Sequence, residues 1–327
     1  MRISSRALSL LAALAVLACG VLLAACGGDD NNDKTTSTGA NAAGKITKNP
    51  DNAKVKLTVG SKNFTEEFIL GEIYAQALQA AGYTVKKDLN YGSEQIAFKG
   101  LKDGKLDGYP EYLNTALTSF FGVKVTDVPS DAQAAINQSQ KEFNKVGLVA
   151  FDPAPFSSAN AVGMLKKKAD QLGVKKVSDL KGKSQNLTIY GSPECRQRPD
   201  CLVGLQDNYG LKFKKFTPVD IGLRYEVLDK GQADASIIFT TDAQLQTRKD
   251  VVILEDDKHA FPPGNPVFVA RRAKVDQAGS DMQKTVELVQ KSLSEKVLRE
   301  LNARVDVDRQ TPKAVARAYL KEAGYID

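Results

Sequence analysis

Short apolar runs alternate with longer segments of helical pattern along most of this chain. The first run, Val55–Gly60, ends at a glycine and a serine, and a polar, acidic segment with the composition of a helix start follows it. This alternation predicts an α/β fold in which mostly parallel sheets are flanked by helices. We expect Asn63 or Thr65 to cap the helix that follows the first run.

Two pairs of similar segments recur at nearly the same separation. The first segment, Leu57–Lys62 (LTVGSK), returns as Leu187–Pro193 (LTIYGSP). The second, Leu101–Tyr112 (LKDGKLDGYPEY), returns as Leu228–Phe239 (LDKGQADASIIF). The two pairs predict two lobes of similar topology, although short helix-to-strand junctions with glycine and aspartate also recur by chance in α/β proteins.

The ends of the predicted strands indicate where a ligand would bind. In open α/β sheets ligands lie beyond the carboxyl ends of the strands. Gly60–Lys62 and Tyr112 lie at such ends in the first half, and Tyr190–Ser192 and Phe239 lie there in the second. We therefore expect a ligand cleft between the two lobes, lined by these residues.

The N-terminal residues have a different pattern. Arg2 and Arg6 precede an apolar run that closes on small residues before Cys26, as in a secretory signal. The end of this run, LAAC, resembles the lipobox of bacterial lipoproteins, which predicts a signal over 1–25 and a lipid on Cys26. A plain signal peptide or an anchor helix is the alternative. Gly, Asn, Asp, Ser and Thr dominate 26–53, which predicts a flexible tether.

Composition argues against several functions. The net charge is +6, or +4 without the two arginines of the signal, and bases and acids are interspersed, so nucleic acid is not an expected partner. His259 is the single histidine, and with no metal-ligand cluster in the sequence we expect no metal, no cofactor and no catalysis.

In an exported protein Cys195 and Cys201 are expected to form a disulfide, with two free thiols as the alternative.

Several segments carry a resemblance to one family. They are GSKNFTEEFILGEIYAQAL, GLKDGKLDGYPEYLNTAL, RPDCLVGLQDNYGLKF, DIGLRYEVLDKGQAD, and TTDAQL followed by LEDDKHAFPPGNP. These segments resemble the substrate-binding lipoproteins of ABC importers for osmoprotectants such as glycine betaine, choline and carnitine. The similarity runs in order from about Leu57 to Ile326.

The resemblance implies a fold and a role. The fold is that of type II periplasmic binding proteins, with lobe 1 formed by 54–158 and 265–327 and lobe 2 formed by 159–264. The role is that of a monomeric, extracytoplasmic receptor, held at the membrane by the lipid on Cys26. Such a receptor delivers a small solute to an ABC permease and its ATPase, and it is not an enzyme.

The family surrounds a trimethylammonium group with tyrosines, because a quaternary ammonium has no N–H to donate and is attracted to aromatic faces. The four corresponding positions in this chain are Tyr112, Asn160, Phe239 and Gly264. Two of the four are aromatic, so two interpretations remain. The solute is a quaternary amine of the glycine betaine or choline type, with Tyr109, Tyr190 or Tyr225 completing the cage. Alternatively, it is a different zwitterion, an amino acid or a small organic acid.

The resemblance also supplies polar contacts for an anionic group. Arg198 matches a carboxylate-binding arginine, Thr115 matches a polar contact just after the cage tyrosine, and Lys62 matches a position with a ligand-facing polar side chain. Each has a structural alternative. Arg198 could pair with a neighbouring acid at the surface, Lys62 could be solvated, and the aromatic side chains of Tyr112 and Phe239 could simply pack in the core.

Overall fold

Two five-stranded sheets organise the part of the chain that the structure, a computed structural model, describes, which is residues 44–327. The predicted signal and Cys26 lie outside this range. The strands are β1 (Lys56–Lys62), β2 (Thr84–Gly92), β3 (Gly108–Tyr112), β4 (Leu148–Ala150), β5 (Asn160–Leu165), β6 (Thr188–Gly191), β7 (Lys215–Pro218), β8 (Ala235–Phe239), β9 (Val251–Ile253) and β10 (Pro266–Arg271).

Helices connect and cover these strands. The α-helices are α1 (Thr65–Ala80), α2 (Glu94–Lys102), α3 (Leu113–Thr115), α4 (Ala132–Lys145), α5 (Lys166–Leu172), α6 (Leu202–Tyr209), α7 (Glu226–Asp229), α8 (Gln244–Thr247), α9 (Arg272–Ala278), α10 (Ser280–Gln290), α11 (Glu295–Asp306) and α12 (Pro312–Glu322). Short 3₁₀ or π turns occupy Pro50–Lys54, Ala116–Phe120, Val125–Asp127, Val177–Leu180, Ser184–Asn186, Pro193–Arg196 and Ile221–Leu223.

The two sheets share one arrangement of strands. Their orders are β2-β1-β3-β10-β4 and β7-β6-β8-β5-β9. In each sheet the second strand pairs in parallel on both sides, and the fourth strand runs antiparallel to both of its neighbours. Four strands of each sheet therefore point the same way, and the predicted α/β fold with mostly parallel sheets is confirmed. We call the half built on the first sheet lobe 1 and the half built on the second lobe 2.

The repeated segments occupy equivalent places in the two lobes. The Asp107 carboxylate accepts the Thr58 backbone N–H at 2.8 Å, and the Asp234 carboxylate accepts the Thr188 backbone N–H at 2.8 Å. The backbone N–H groups of the same two aspartates donate to the carbonyls of Thr58 and Thr188, at 2.8 and 3.0 Å. Each aspartate thus joins the start of one strand to its parallel neighbour, which gives the sequence repeat a structural cause.

The C-terminal helices pack on lobe 1. Helix α1 is buried along most of its length because α10, α11 and α12 pack against it. Val315 and Leu320 of α12 lie in the same hydrophobic core as Leu57 of β1 and Tyr74 of α1. The rings of Tyr74 and Phe268 meet edge to face at 5.2 Å, which joins α1 to the sheet.

The folded part of the chain begins before the predicted end of the tether. The Ile46 N–H donates to the Tyr325 carbonyl at 3.0 Å. Asn52 is buried, and its side-chain amide donates to the backbone at the end of α1. The prediction of a flexible tether over the whole of 26–53 is therefore wrong for its last residues. Polar composition did not reveal these hydrogen bonds to distant backbone.

Candidate functional site

A cleft lies between the two lobes, where the carboxyl ends of β1, β3, β6 and β8 meet. Both lobes contribute to its walls. Six of the seven residues predicted to contact a ligand line it: Lys62, Tyr112, Thr115, Asn160, Arg198 and Phe239. The cleft therefore has the predicted position and most of the predicted walls.

Gly264 is the predicted ligand contact that the structure places elsewhere. A Cβ at this position would overlap the Asn114 side-chain oxygen and would lie 2.8 Å from the Ser158 carbonyl oxygen. The Gly264 carbonyl also accepts the Ser158 N–H at 2.9 Å. Glycine is thus needed where two segments that connect the lobes pass close together. The prediction that Gly264 faces the ligand is not supported.

Three aromatic side chains form one cluster at the cleft, which we call the aromatic cluster: Phe64, Tyr112 and Phe239. The ring centroids of Phe64 and Tyr112 are 6.3 Å apart, and those of Phe64 and Phe239 are 5.3 Å apart. Phe64 and Tyr112 belong to lobe 1 and Phe239 to lobe 2, so the cluster spans the cleft. The sequence analysis did not predict Phe64 as a cleft residue. Its position directly after the end of β1, where ligand contacts were expected, was the signal that could have identified it.

The tyrosines considered as replacements have other roles. Tyr109 is buried and donates to the Glu111 carboxylate at 2.7 Å, and Tyr225 is buried and donates to the Asp242 carboxylate at 2.9 Å. Tyr190 packs at the edge of a small core of lobe 2. None of the three lines the cleft between the described lobes. The third ring of the cluster is Phe64 instead.

Lys62 lines the cleft and is buried in an ion pair with acids of lobe 1. Its ammonium group contacts the Glu111 carboxylate and lies 3.6 Å from a Glu67 oxygen. It also lies 4.6 Å from the centroid of the Tyr112 ring. Burial opposes the charged form of Lys62, but Glu111 and Glu67 outweigh it and raise the pKa of the lysine. The charge of Lys62 is therefore neutralised within lobe 1.

Glu67 is a second buried carboxyl next to Lys62. One of its carboxylate oxygens accepts the Lys62 backbone N–H at 2.9 Å, and the other has no hydrogen-bond partner among the described residues. Burial raises the pKa of Glu67 to about 8, so its carboxyl is mostly neutral at pH 7.

The start of α1 has no side-chain cap, so the expectation that Asn63 or Thr65 caps this helix is wrong. The Thr65 hydroxyl donates to Asp306 at 2.7 Å, and Asn63 makes no capping bond.

The Tyr112 ring is held from behind by two buried polar side chains. Its hydroxyl donates to one oxygen of the Glu66 carboxylate at 2.6 Å. The other Glu66 oxygen accepts from the Asn302 side-chain amide at 2.9 Å. Burial raises the pKa of Tyr112 well above its usual value, so the hydroxyl keeps its proton. These bonds fix the orientation of the ring.

Arg198 extends from lobe 2 across the cleft to lobe 1. Its guanidinium donates to both oxygens of the buried Asp200 carboxylate, at 2.8 and 2.6 Å. It also donates to the Thr115 hydroxyl at 3.2 Å and lies 3.7 Å from a Glu94 oxygen. Burial raises the pKa of Glu94, while Arg198 opposes that shift. Because Asp200 is buried, its pair with Arg198 lies inside the cleft and not on the surface. Asn160 adds a bond from its amide to the backbone carbonyl of Asp200 at 2.8 Å.

A second arginine of lobe 2 also lines the cleft. The Arg224 guanidinium lies 4.7 Å from the centroid of the Phe239 ring, and its Nε and Nη2 groups donate to the two oxygens of the Asp242 carboxylate. Because Lys62, Arg198 and Arg224 each have a carboxylate partner, the cations that line the cleft are compensated within the protein.

A disulfide joins Cys195 to Cys201 and encloses Arg198 in a short loop. Cys201 also lines the cleft.

Within residues 44–327 no group of His, Cys, Asp and Glu side chains is arranged to hold a metal ion. No helix in the same range has the length and apolar character needed to cross a membrane.

Two lobes of equal topology with a cleft between their strand ends define a solute-binding protein of the two-lobed periplasmic class. A family model described as the substrate-binding domain of an ABC-type glycine betaine transport system matches residues 55–322. The chain belongs to this family and is a solute-binding component of an ABC importer.

Individual relatives agree with this assignment. A glycine-betaine-binding protein from Pseudomonas aeruginosa is 33% identical over 83% of this chain and 89% of that protein. An ergothioneine transport permease/binding protein from Helicobacter pylori is 28% identical over 82% of this chain, but the match spans 48% of that protein. A solved structure described as a glycine betaine/carnitine/choline ABC transporter is 26% identical, covers 84% of this chain and all of its own, and has a TM-score of 0.64.

Proposed function

We propose that the solute of this importer component carries a quaternary ammonium group, as glycine betaine and choline do. The aromatic cluster is the observation that carries the proposal. Phe64, Tyr112 and Phe239 present three ring systems at one end of a cleft between strand ends. A cation that cannot donate an N–H bond is attracted to the ring faces that Lys62 and Arg224 leave open, each contributing roughly 0.5–2 kcal/mol.

The charge balance of the cleft supports the same proposal. Lys62, Arg198 and Arg224 are each paired with an acid of the protein, and Glu94 is a second acid beside Arg198 at the cleft. A positive group on the solute is therefore favoured at this cleft over a purely anionic solute. For a zwitterion, the Thr115 hydroxyl and the remaining N–H groups of Arg198 are the donors that its carboxylate would use.

Another zwitterion, an amino acid or a small organic acid is the second candidate. Asn160 replaces an aromatic wall and gives the cleft a polar side, which suits a larger or more polar solute. Ergothioneine, which the Helicobacter pylori relative is described as binding, has a trimethylammonium group and so belongs to the first candidate, although it is larger than glycine betaine. A solute of that kind would use the aromatic cluster and the polar side together.

The proposed mechanism is that of a receptor for a permease and its ATPase, without catalysis. Lobe 1 (54–158 and 265–327) and lobe 2 (159–264) separate to admit the solute and close around it, with the two connecting segments flexing. Open and closed forms are in equilibrium without solute, and the solute shifts this equilibrium towards the closed form because it binds that form more tightly. The receptor acts as a monomer on the outer side of the membrane, anchored through a lipid on Cys26.

A thermal-shift panel tests the proposal. The full chain, purified in detergent, is heated with glycine betaine, choline, carnitine or ergothioneine, and with amino acids and small dicarboxylates in parallel. A solute at 100 times its dissociation constant adds about 2.7 kcal/mol of stability. We expect the quaternary amines to raise the midpoint. A shift with amino acids or dicarboxylates alone would replace this proposal with the second candidate.

A further inference from the structure

One face of α11 contacts both lobes behind the cleft. Arg299, Asn302 and Asp306 are spaced three and four residues apart, so they share this face. None of the three lines the cleft. Asp306 accepts the Thr65 hydroxyl at the start of α1, which fixes α11 against lobe 1.

The same face binds a loop of lobe 2. The Arg299 guanidinium donates twice to the Thr240 carbonyl, at 3.0 and 2.7 Å. The Asn302 amide donates to the Thr241 carbonyl at 3.0 Å. Thr240 and Thr241 directly follow Phe239, so these bonds hold the backbone next to the lobe 2 ring of the aromatic cluster.

Asn302 also connects to the lobe 1 side of the cluster. The same amide nitrogen donates to Glu66 at 2.9 Å, and Glu66 accepts the Tyr112 hydroxyl. Asn302, Glu66, Tyr112 and Thr241 are all buried. A single NH₂ group therefore uses one hydrogen toward the Tyr112 ring and one toward the chain after Phe239.

We propose that Asn302 and Arg299 are positioning residues that hold the two parts of the aromatic cluster together and stabilise the closed cleft. The inference rests on the proposed function, since it assigns the cluster to the solute. The bonds to Thr240 and Thr241 join the lobes and are lost when the lobes separate, whereas the Glu66–Tyr112 bond lies within lobe 1. Their free energy therefore favours the closed form and slows release of the solute.

Hydrogen exchange of the full chain without solute is the first test. The variants are Arg299→Met and Asn302→Leu. Arg304→Met is the matched control, because Arg304 lies on the same helix and pairs with Glu322 on α12. We expect exchange of a peptide covering 239–242 to become at least about fivefold faster in both test variants and to stay unchanged in the control. Unchanged exchange in Arg299→Met and Asn302→Leu would overturn the proposal.

Stopped-flow binding of glycine betaine is the second test. We expect its dissociation rate to rise about tenfold in each test variant, its association rate to stay within about twofold, and the control to match the wild type. An unchanged dissociation rate would also overturn the proposal. If Asn302→Leu fails to fold, the partly exposed Arg299 gives the result alone. If the wild type binds no glycine betaine but the exchange result is as expected, the proposed solute is wrong and the role of α11 stands.

Discussion

The two lobes have the same strand order but bury charge in different ways. In lobe 1 a single buried lysine, Lys62, lies between two buried acids, Glu67 and Glu111. In lobe 2 each arginine of the cleft has one aspartate partner. By contrast, the aspartates that join neighbouring strands are the same in both lobes. Residues that the fold requires are thus repeated, whereas the buried charges in and behind the cleft are specific to each lobe.

The largest effect is expected from breaking the buried ion pair between Lys62 and Glu111 in lobe 1. Lys62→Met leaves Glu111 as a buried carboxylate without its cation, so the free energy of unfolding should fall by about 3–5 kcal/mol. Urea unfolding of the variant and the wild type measures this difference in the free energy of unfolding. Lys99→Met is the control, because Lys99 pairs with Asp103 on the exposed face of α2, and no measurable change is expected there. A loss in Lys62→Met as small as the control would show that the buried pair contributes nothing to stability.

A smaller effect, equal in the two lobes, is expected from replacing the aspartate that joins neighbouring strands in each lobe. Asp107→Ala and Asp234→Ala each remove a charged acceptor from a backbone N–H, which should lower the free energy of unfolding by about 1.5–3 kcal/mol. Both variants are measured by denaturant unfolding under the same conditions. If one variant unfolds like the wild type, the repeated aspartates do not have equivalent roles.

The smallest effect, taken over a single pH unit, is a dependence of stability on pH that originates in lobe 1. The pKa of Glu67 is about 8 in the folded chain, against an unperturbed value of 4.5. Between these values the folded state holds a proton that the unfolded state has lost. The contribution of Glu67 to stability is therefore complete below about pH 4.5 and falls by at most about 1.4 kcal/mol per pH unit as the pH rises to about 8.

Glu67→Gln tests this pH dependence. Glutamine keeps an acceptor for the Lys62 N–H but does not titrate, so the variant should gain stability relative to the wild type from pH 5 to pH 8. Unfolding midpoints at several pH values measure the difference. Glu142→Gln, on α4 next to Lys145, is the control and should follow the wild type. A constant difference between Glu67→Gln and the wild type would contradict the raised pKa.

The sequence predicted the topology better than the details of the site. The recurrence of Leu57–Lys62 at Leu187–Pro193 indicated two like lobes, because equivalent strands need the same apolar pattern and the same turn. Patterns of this kind are local, so one sequence is enough to detect them. The predicted position of the cleft followed from the strand ends and needed no side-chain geometry.

The errors have a common physical cause, which is contact between residues far apart in the chain. Lys62 is neutralised by Glu111, and the third ring of the aromatic cluster comes from Phe64. Gly264 is required by the close approach of the Asn114 side chain and the Ser158 backbone. The end of the tether is held by Tyr325 of the C-terminal tail. Neither the periodicity of apolar residues nor a short sequence motif predicts contacts of this kind.

Titration calorimetry with two solutes of the same shape tests the central claim most directly. Glycine betaine and 3,3-dimethylbutanoate differ chiefly in that a neutral carbon replaces the charged nitrogen. If the aromatic cluster holds the cation, glycine betaine should bind the wild-type chain at least about tenfold more tightly, which corresponds to about 1.4 kcal/mol. Equal affinities, or tighter binding of 3,3-dimethylbutanoate, would contradict the account.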